Sequence, residues 1–122
     1  MATRTATILA KQPTLAYDGV DIYQWTGLTK ATDDVGDAQE VPGYADRSVQ
    51  VTGTFGAGGS VRIEGSLDGT NYAVLTDPQG NALDITAAKI EAISENVRMI
   101  RPRVTAGDGT TTLVVTILFR KG

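Results

Sequence analysis

The side chains available for chemistry are carboxylates, basic groups, hydroxyls and aromatic rings, because the 122 residues include neither Cys nor His. Without them there is no thiol nucleophile, no thiolate or imidazole metal ligand, and no imidazole base. Zinc centres, Ser-His-Asp triads and Cys-His dyads are therefore excluded. The four serines, Ser48, Ser60, Ser66 and Ser94, lie in no nucleophile-elbow pattern. Asp18 with Asp21, and Asp33 with Asp34 and Asp37, could ligate calcium, but the twelve-residue loop of alternating oxygen ligands ending in Glu is absent. These acids read first as solvated carboxylates, and no pair of the fourteen acids is marked for glycoside chemistry. The expectation is a protein that is not an enzyme and carries no metal or cofactor.

Other groupings point to contact rather than catalysis. Tyr23 and Trp25 stand two apart and so share a face of a strand, as a sugar-stacking platform or as part of a core or subunit contact. Arg101 and Arg103 likewise share a face, with Arg98 nearby and no aromatic interleaved, which favours pairing with acidic groups over nucleic acid. Gly53–Gly59 lacks the Lys-Ser/Thr ending of a phosphate loop and opens no helix, so it reads as a hairpin turn. Tyr23, Trp25, Asp33, Asp34, Asp37, Arg101 and Arg103 are the candidate partner contacts.

These residues need a scaffold, and the pattern is that of strands. Val49, Val51 and Phe55, then Val61 and Ile63, alternate with polar residues. Ile100, Pro102 and Val104 oppose Arg101 and Arg103, and Pro102 predicts a sheet edge or a bulge. Leu113, Val115, Ile117 and Phe119 form one face, while Val114 and Leu118 make the other face apolar too. Such a strand is central or presses on a partner. Turns are marked at Gly56–Gly59, Asp68-Gly69, Asp77–Asn81 and Gly107–Gly109. Ile90 and Ile93, after a capping Thr86, predict one or two helical turns within Thr86–Asn96. About seven or eight short strands with Gly-rich turns argue for an all-β, two-sheet β-sandwich of jelly-roll-like form.

The first part of the chain reads differently. Residues 1–20 are Thr-rich with weak periodicity and are expected to form an extended N-terminal arm. Residues 21–122 form the single sandwich domain, including a long acidic loop over 31–46. Residues 1–46 carry three basic and seven acidic side chains, and residues 47–122 carry eight and seven, for a net charge of -3 overall. An acidic chain is a poor ligand for nucleic acid or an anionic membrane. The longest apolar run, Thr110–Phe119, is half of what a membrane helix needs, and Thr7–Ala10 is too short for a signal peptide. Synthesis in the cytoplasm is expected.

Three-fifths of the chain carries a recognisable phrase. Val49-Gln50-Val51-Thr52-Gly53-Thr54-Phe55 leads into Val61-Arg62-Ile63-Glu64-Gly65-Ser66-Leu67-Asp68-Gly69-Thr70-Asn71-Tyr72. Leu75, Asp77-Pro78-Gln79-Gly80, Ile100-Arg101-Pro102 and Gly109-Thr110-Thr111-Thr112-Leu113 follow. This resembles small tailed-bacteriophage virion proteins, particularly the β-sandwich cement or decoration proteins on the outside of capsids. The resemblance implies a structural protein of the outer capsid surface, made in the host cytoplasm. It also implies a dimer or trimer whose arm reaches onto the major capsid protein. A tail or baseplate component is the alternative within the virion. The stretch Glu64–Tyr72 is also similar to discoidin-type carbohydrate-binding sandwiches, although the chain lacks their usual cysteines and is shorter.

Overall fold

The computed structural model describes residues 2–12 and 19–121. Its strands are β1 (Thr3–Arg4), β2 (Thr7–Ala10), β3 (Val20–Thr29), β4 (Val35–Gly36), β5 (Gln39–Glu40) and β6 (Asp46–Thr54). They continue as β7 (Ser60–Ser66), β8 (Ala73–Val74), β9 (Asp84–Ile85), β10 (Lys89–Ala92), β11 (Met99–Ala106) and β12 (Thr112–Arg120). The first sheet runs β1-β4-β11-β7-β8, with β5 also on β11 and β9 also on β7. The second runs β10-β6-β12-β3-β2. The molecule is an all-β two-sheet sandwich.

Alternation builds it. Leu113, Val115, Ile117 and Phe119 of β12 meet Val49 and Val51 of β6 on the inner face of the second sheet. Val61 and Ile63 of β7 and Ile100 and Val104 of β11 line the inner face of the first. All of these belong to one apolar core. β12 is central in its sheet, between β6 and β3, so the strand's two-sided apolar character has its explanation in part within the fold.

Pro102 lies neither at an edge nor at a bulge. β11 is flanked by β7 on one side and by β4 and β5 on the other, and the register shift falls between Val104 and Ala106. Val104 donates its N–H to Asp34 O on the β4 side, and strand amides alternate, so Pro102 faces the same side two residues earlier. There the ladder is interrupted between β4 and β5, and no donor is needed. Pro102 also packs closely: a Cβ on Gly36 would lie 2.6 Å from both Pro102 Cδ and Trp25 Cδ1. Glycine is required there so that the backbone of β4 can lie against Trp25 and Pro102.

Three other expectations are corrected. Thr86–Asn96 contains no helix; β10 pairs with β6, placing Ile90 opposite Gln50. In a strand, a spacing of three puts Ile90 and Ile93 on opposite faces, and Ile90 is exposed while Ile93 is buried. The Gly56–Gly59 turn is not a hairpin, because β6 and β7 belong to different sheets. It is a corner between sheets, fastened to the second corner at Gly107–Gly109 by Ala57 N–H donating to Asp108 and by Thr111 Oγ1 donating to Phe55 O. The acidic stretch 31–46 is not one open loop, since it contains β4 and β5 and a fully buried Asp34.

The expected arm is extended where it is described, and it lies along the body. β1 pairs in parallel with β4 in the first sheet, and β2 pairs with β3 in the second. Residues 1 and 13–18 of the expected arm lie outside the described residues.

Candidate functional site

The three acids Asp33, Asp34 and Asp37 follow one another closely but point to three separate partners. The chain turns at Asp33, whose φ is 48°, and its exposed carboxylate pairs with Lys30. Asp34 is wholly buried and accepts from Arg4 Nε at 2.6 Å, Thr29 N–H at 3.0 Å, and the Thr32 hydroxyl. Burial pushes its pKa up, but those donors outweigh it and hold the group below the usual carboxylate range. Asp37 Oδ1 accepts from Trp25 Nε1 at 2.8 Å and from Ala6 N–H at 2.9 Å. Asp34 and Asp37 thus tie the N-terminal segment to the sandwich, while Asp33 pairs locally. Among the described residues no three acids gather as a cation site.

Asp21 acts in the same way at the other end of that segment. Burial raises its pKa, and donation by Tyr44 Oη at 2.6 Å, Gln12 N–H at 3.0 Å and Lys11 Nζ at 3.2 Å more than reverses this. Lys11, hydrogen-bonded to Tyr23 and Asp21, is pushed up to about 12. Asp18, its partner in the calcium reading, lies outside the described residues. Tyr23 and Trp25 share a face as expected, but it is the inner one: Trp25 is 0% exposed and Tyr23 is 7%. A ring with no open face cannot stack on a sugar, so the platform reading is withdrawn. Tyr23 instead packs against Phe119, with ring centroids 5.7 Å apart.

Arg101 and Arg103 do come together, on the outer face of the first sheet. The register sets Arg101 opposite Glu64 and Arg103 directly opposite Arg62. Arg101 Nε donates to Glu64 Oε1 at 3.1 Å, and its guanidinium lies 3.7 Å from the centre of the Tyr72 ring. Arg62 and Arg103 reach only to 3.8 Å and 3.9 Å from Glu64 Oε2. Three arginines thus cover one glutamate, leaving its side chain 4% exposed, with Asp84 of β9 paired opposite Arg62 on its other side. A shallow hollow of about 460 Å³ adjoins them, lined by Asp33, Arg62, Arg103, Val104 and Thr105. Arg62 and Glu64 escaped the sequence reading as site residues. The Val61/Ile63 alternation puts both outward, but only the strand register shows what they face.

The outer face of the second sheet has the opposite character. Ile22 and Gln24 of β3, Ser48 and Gln50 of β6, and Thr116 and Leu118 of β12 point away from the core, with Ile90 beside them. A shallow apolar hollow of about 250 Å³ runs between these strands. The nearest charges across β6 and β12 are Asp46 and Arg120 at one end, which pair with each other at 2.8 Å. No helix among the described residues is long and apolar enough to cross a membrane. Compared with known protein families and with curated proteins, the sequence matches none.

Proposed function

We propose that the chain is a structural virion protein that binds the assembled head of a tailed bacteriophage from outside and stabilises it. The reading rests on the cement-protein resemblance over Ser48–Phe119. One observation carries it further: the sandwich presents two outer faces of different chemistry, one charged, with three arginines around Glu64, and one uncharged. The buried acids Asp21 and Asp34 are engaged in holding the chain together. What is left over is surface, and surface is what a decoration protein uses.

Linkage supplies the physics. A protein that binds the lattice and not its loose subunits stabilises the lattice by about 2.7 kcal/mol per site at a free concentration one hundredfold above its Kd. Joined copies grip several capsid subunits at once and gain avidity. The uncharged face serves as the contact between copies. Its outward-facing Ile22, Ile90 and Leu118, ranged among uncharged Gln50 and Thr116, suit it to that contact better than the charged face. The major capsid protein is then met by the remaining surface. The test is co-sedimentation of purified protein with undecorated heads of the phage that encodes it. Saturable pelleting at a fixed ratio to capsid subunits is expected; protein left in the supernatant at every concentration would overturn the reading, and pelleting with tails alone would move it to the tail.

A further inference from the structure

The seven arginines of the chain fall into two groups. Arg4, Arg98, Arg101 and Arg120 each donate to a carboxylate, and Arg47 is buried with its guanidinium donating to the carbonyls of Val41, Tyr44, Glu95 and Val97. The guanidinium groups of Arg62 and Arg103 make no hydrogen bond among the described residues, and the buried Nε of Arg62 has no acceptor. These two are direct cross-strand neighbours, and both line the same hollow. Like charges set opposite each other on adjacent strands destabilise a sheet, and an orphaned donor adds to the cost. Glu64, 3.8 Å and 3.9 Å away, and Asp84, opposite Arg62 on β9, offset part of this cost, but neither takes a hydrogen bond from the two guanidinium groups.

We propose that the Arg62–Arg103 pair is a receptor for a carboxylate side chain carried on an acidic segment of a partner protein. Two planar guanidinium forks side by side match a planar carboxylate, which can take parallel hydrogen bonds from either. Entry of the anion removes the repulsion between the forks and draws the Arg62 guanidinium outward, so that its Nε is no longer stranded. A singly charged group suits the hollow better than a phosphate dianion, because Asp33 stands on the rim and Glu64 lies behind the pair. Arg101, stacked on Tyr72, forms the fixed wall beside them. The proposal does not depend on the partner being a capsid, and it is tested without one.

The experiment titrates the full-length protein at fixed, low salt with a capped hexaglutamate peptide, with inorganic phosphate and with a short single-stranded oligonucleotide. The Arg62→Gln/Arg103→Gln double variant should lose about tenfold or more in peptide affinity. The Arg98→Gln/Arg120→Gln variant removes the same net charge elsewhere and should lose less than about threefold. At one peptide concentration, the rise in Tm should be clearly larger for the wild type than for the first variant. Without ligand, Arg103→Gln alone should melt at or above the wild-type temperature, because it removes a repulsion. Equal losses in both double variants, or no peptide binding by the wild type, would overturn the proposal. So would tighter binding of phosphate or oligonucleotide, or an Arg103→Gln protein that melts several degrees lower without ligand.

Discussion

On the outside of the first sheet, three arginines crowd a glutamate that is almost wholly covered. On the outside of the second, Ile22, Gln50, Thr116 and Leu118 stand in rows between the ends of the strands, with the Asp46–Arg120 pair held to one end. Both faces are built on strands whose inner residues are buried and mainly apolar, with Asp21 and Arg47 of the second sheet as charged exceptions. Folding constrains the inner half of each strand, because that half forms the core. The outer half is free to differ, and here it does. The contrast between the faces is the ground on which the proposed function rests.

The largest effect should come from the interior that both faces share. Ile117→Ala should cost about 2–5 kcal/mol in denaturant unfolding and lower the stability of the whole domain in one transition. A loss confined to one sheet would show that the faces belong to separately stable units. Next comes Glu64→Gln, which leaves three arginines around a neutral amide. Partial exposure of those arginines reduces the expected cost from that of a fully buried pair to about 1–3 kcal/mol. The matching change on the other face, Gln50→Ala, should stay within about 0.5 kcal/mol. Equal costs would erase the distinction between a charge-organised face and a neutral one.

Acid should act on the joints rather than on either face. Asp21 and Asp34 have folded-state pKa values below their ordinary ones, so their contribution is present above the unfolded value of about 3.9 and is lost as pH falls through the lower folded value. Lys11 behaves in the opposite sense: its contribution is lost as pH rises from its ordinary 10.5 through about 12. With no His to titrate, Tm should be flat between about pH 5 and 8 and fall below about pH 4. A step near neutrality would contradict this. A modest effect on stability, about 1 kcal/mol or less, is expected for Thr116→Lys, which in the central strand removes a hydrogen bond donated by Gln24 Nε2. That variant should nonetheless shift sedimentation velocity toward monomer, and an unchanged oligomer would place the contact between copies elsewhere.

Much of this architecture is legible in the residues. The alternations in β6, β7, β11 and β12 announce four strands and their inner faces, and Arg101 and Arg103 are correctly set outward together. What escapes is whatever depends on pairing. Ile90 and Ile93 have a spacing that suits a helix, and only the partner strand β6 makes the segment extended. The glycines at 56–59 announce a turn but not that it crosses between sheets. β2 has weak periodicity because three of its four residues are exposed at a sheet edge. Asp34 looks like a solvated loop acid, yet Thr29, Thr32 and Arg4 bury it among donors. The site is half legible for the same reason: its β11 residues alternate visibly, whereas Arg62 and Glu64 acquire meaning only through the register between β7 and β11.

The central claim, that this sandwich acts by fastening a shell rather than by chemistry, is tested most directly by heating phage heads. DNA release is followed with temperature at fixed salt, with no added protein and with protein at measured full occupancy. Rupture at a clearly higher temperature in the decorated heads is predicted, because each occupied site adds its binding free energy to the intact lattice. Heads that carry the protein at full occupancy and still rupture at the undecorated temperature would contradict it.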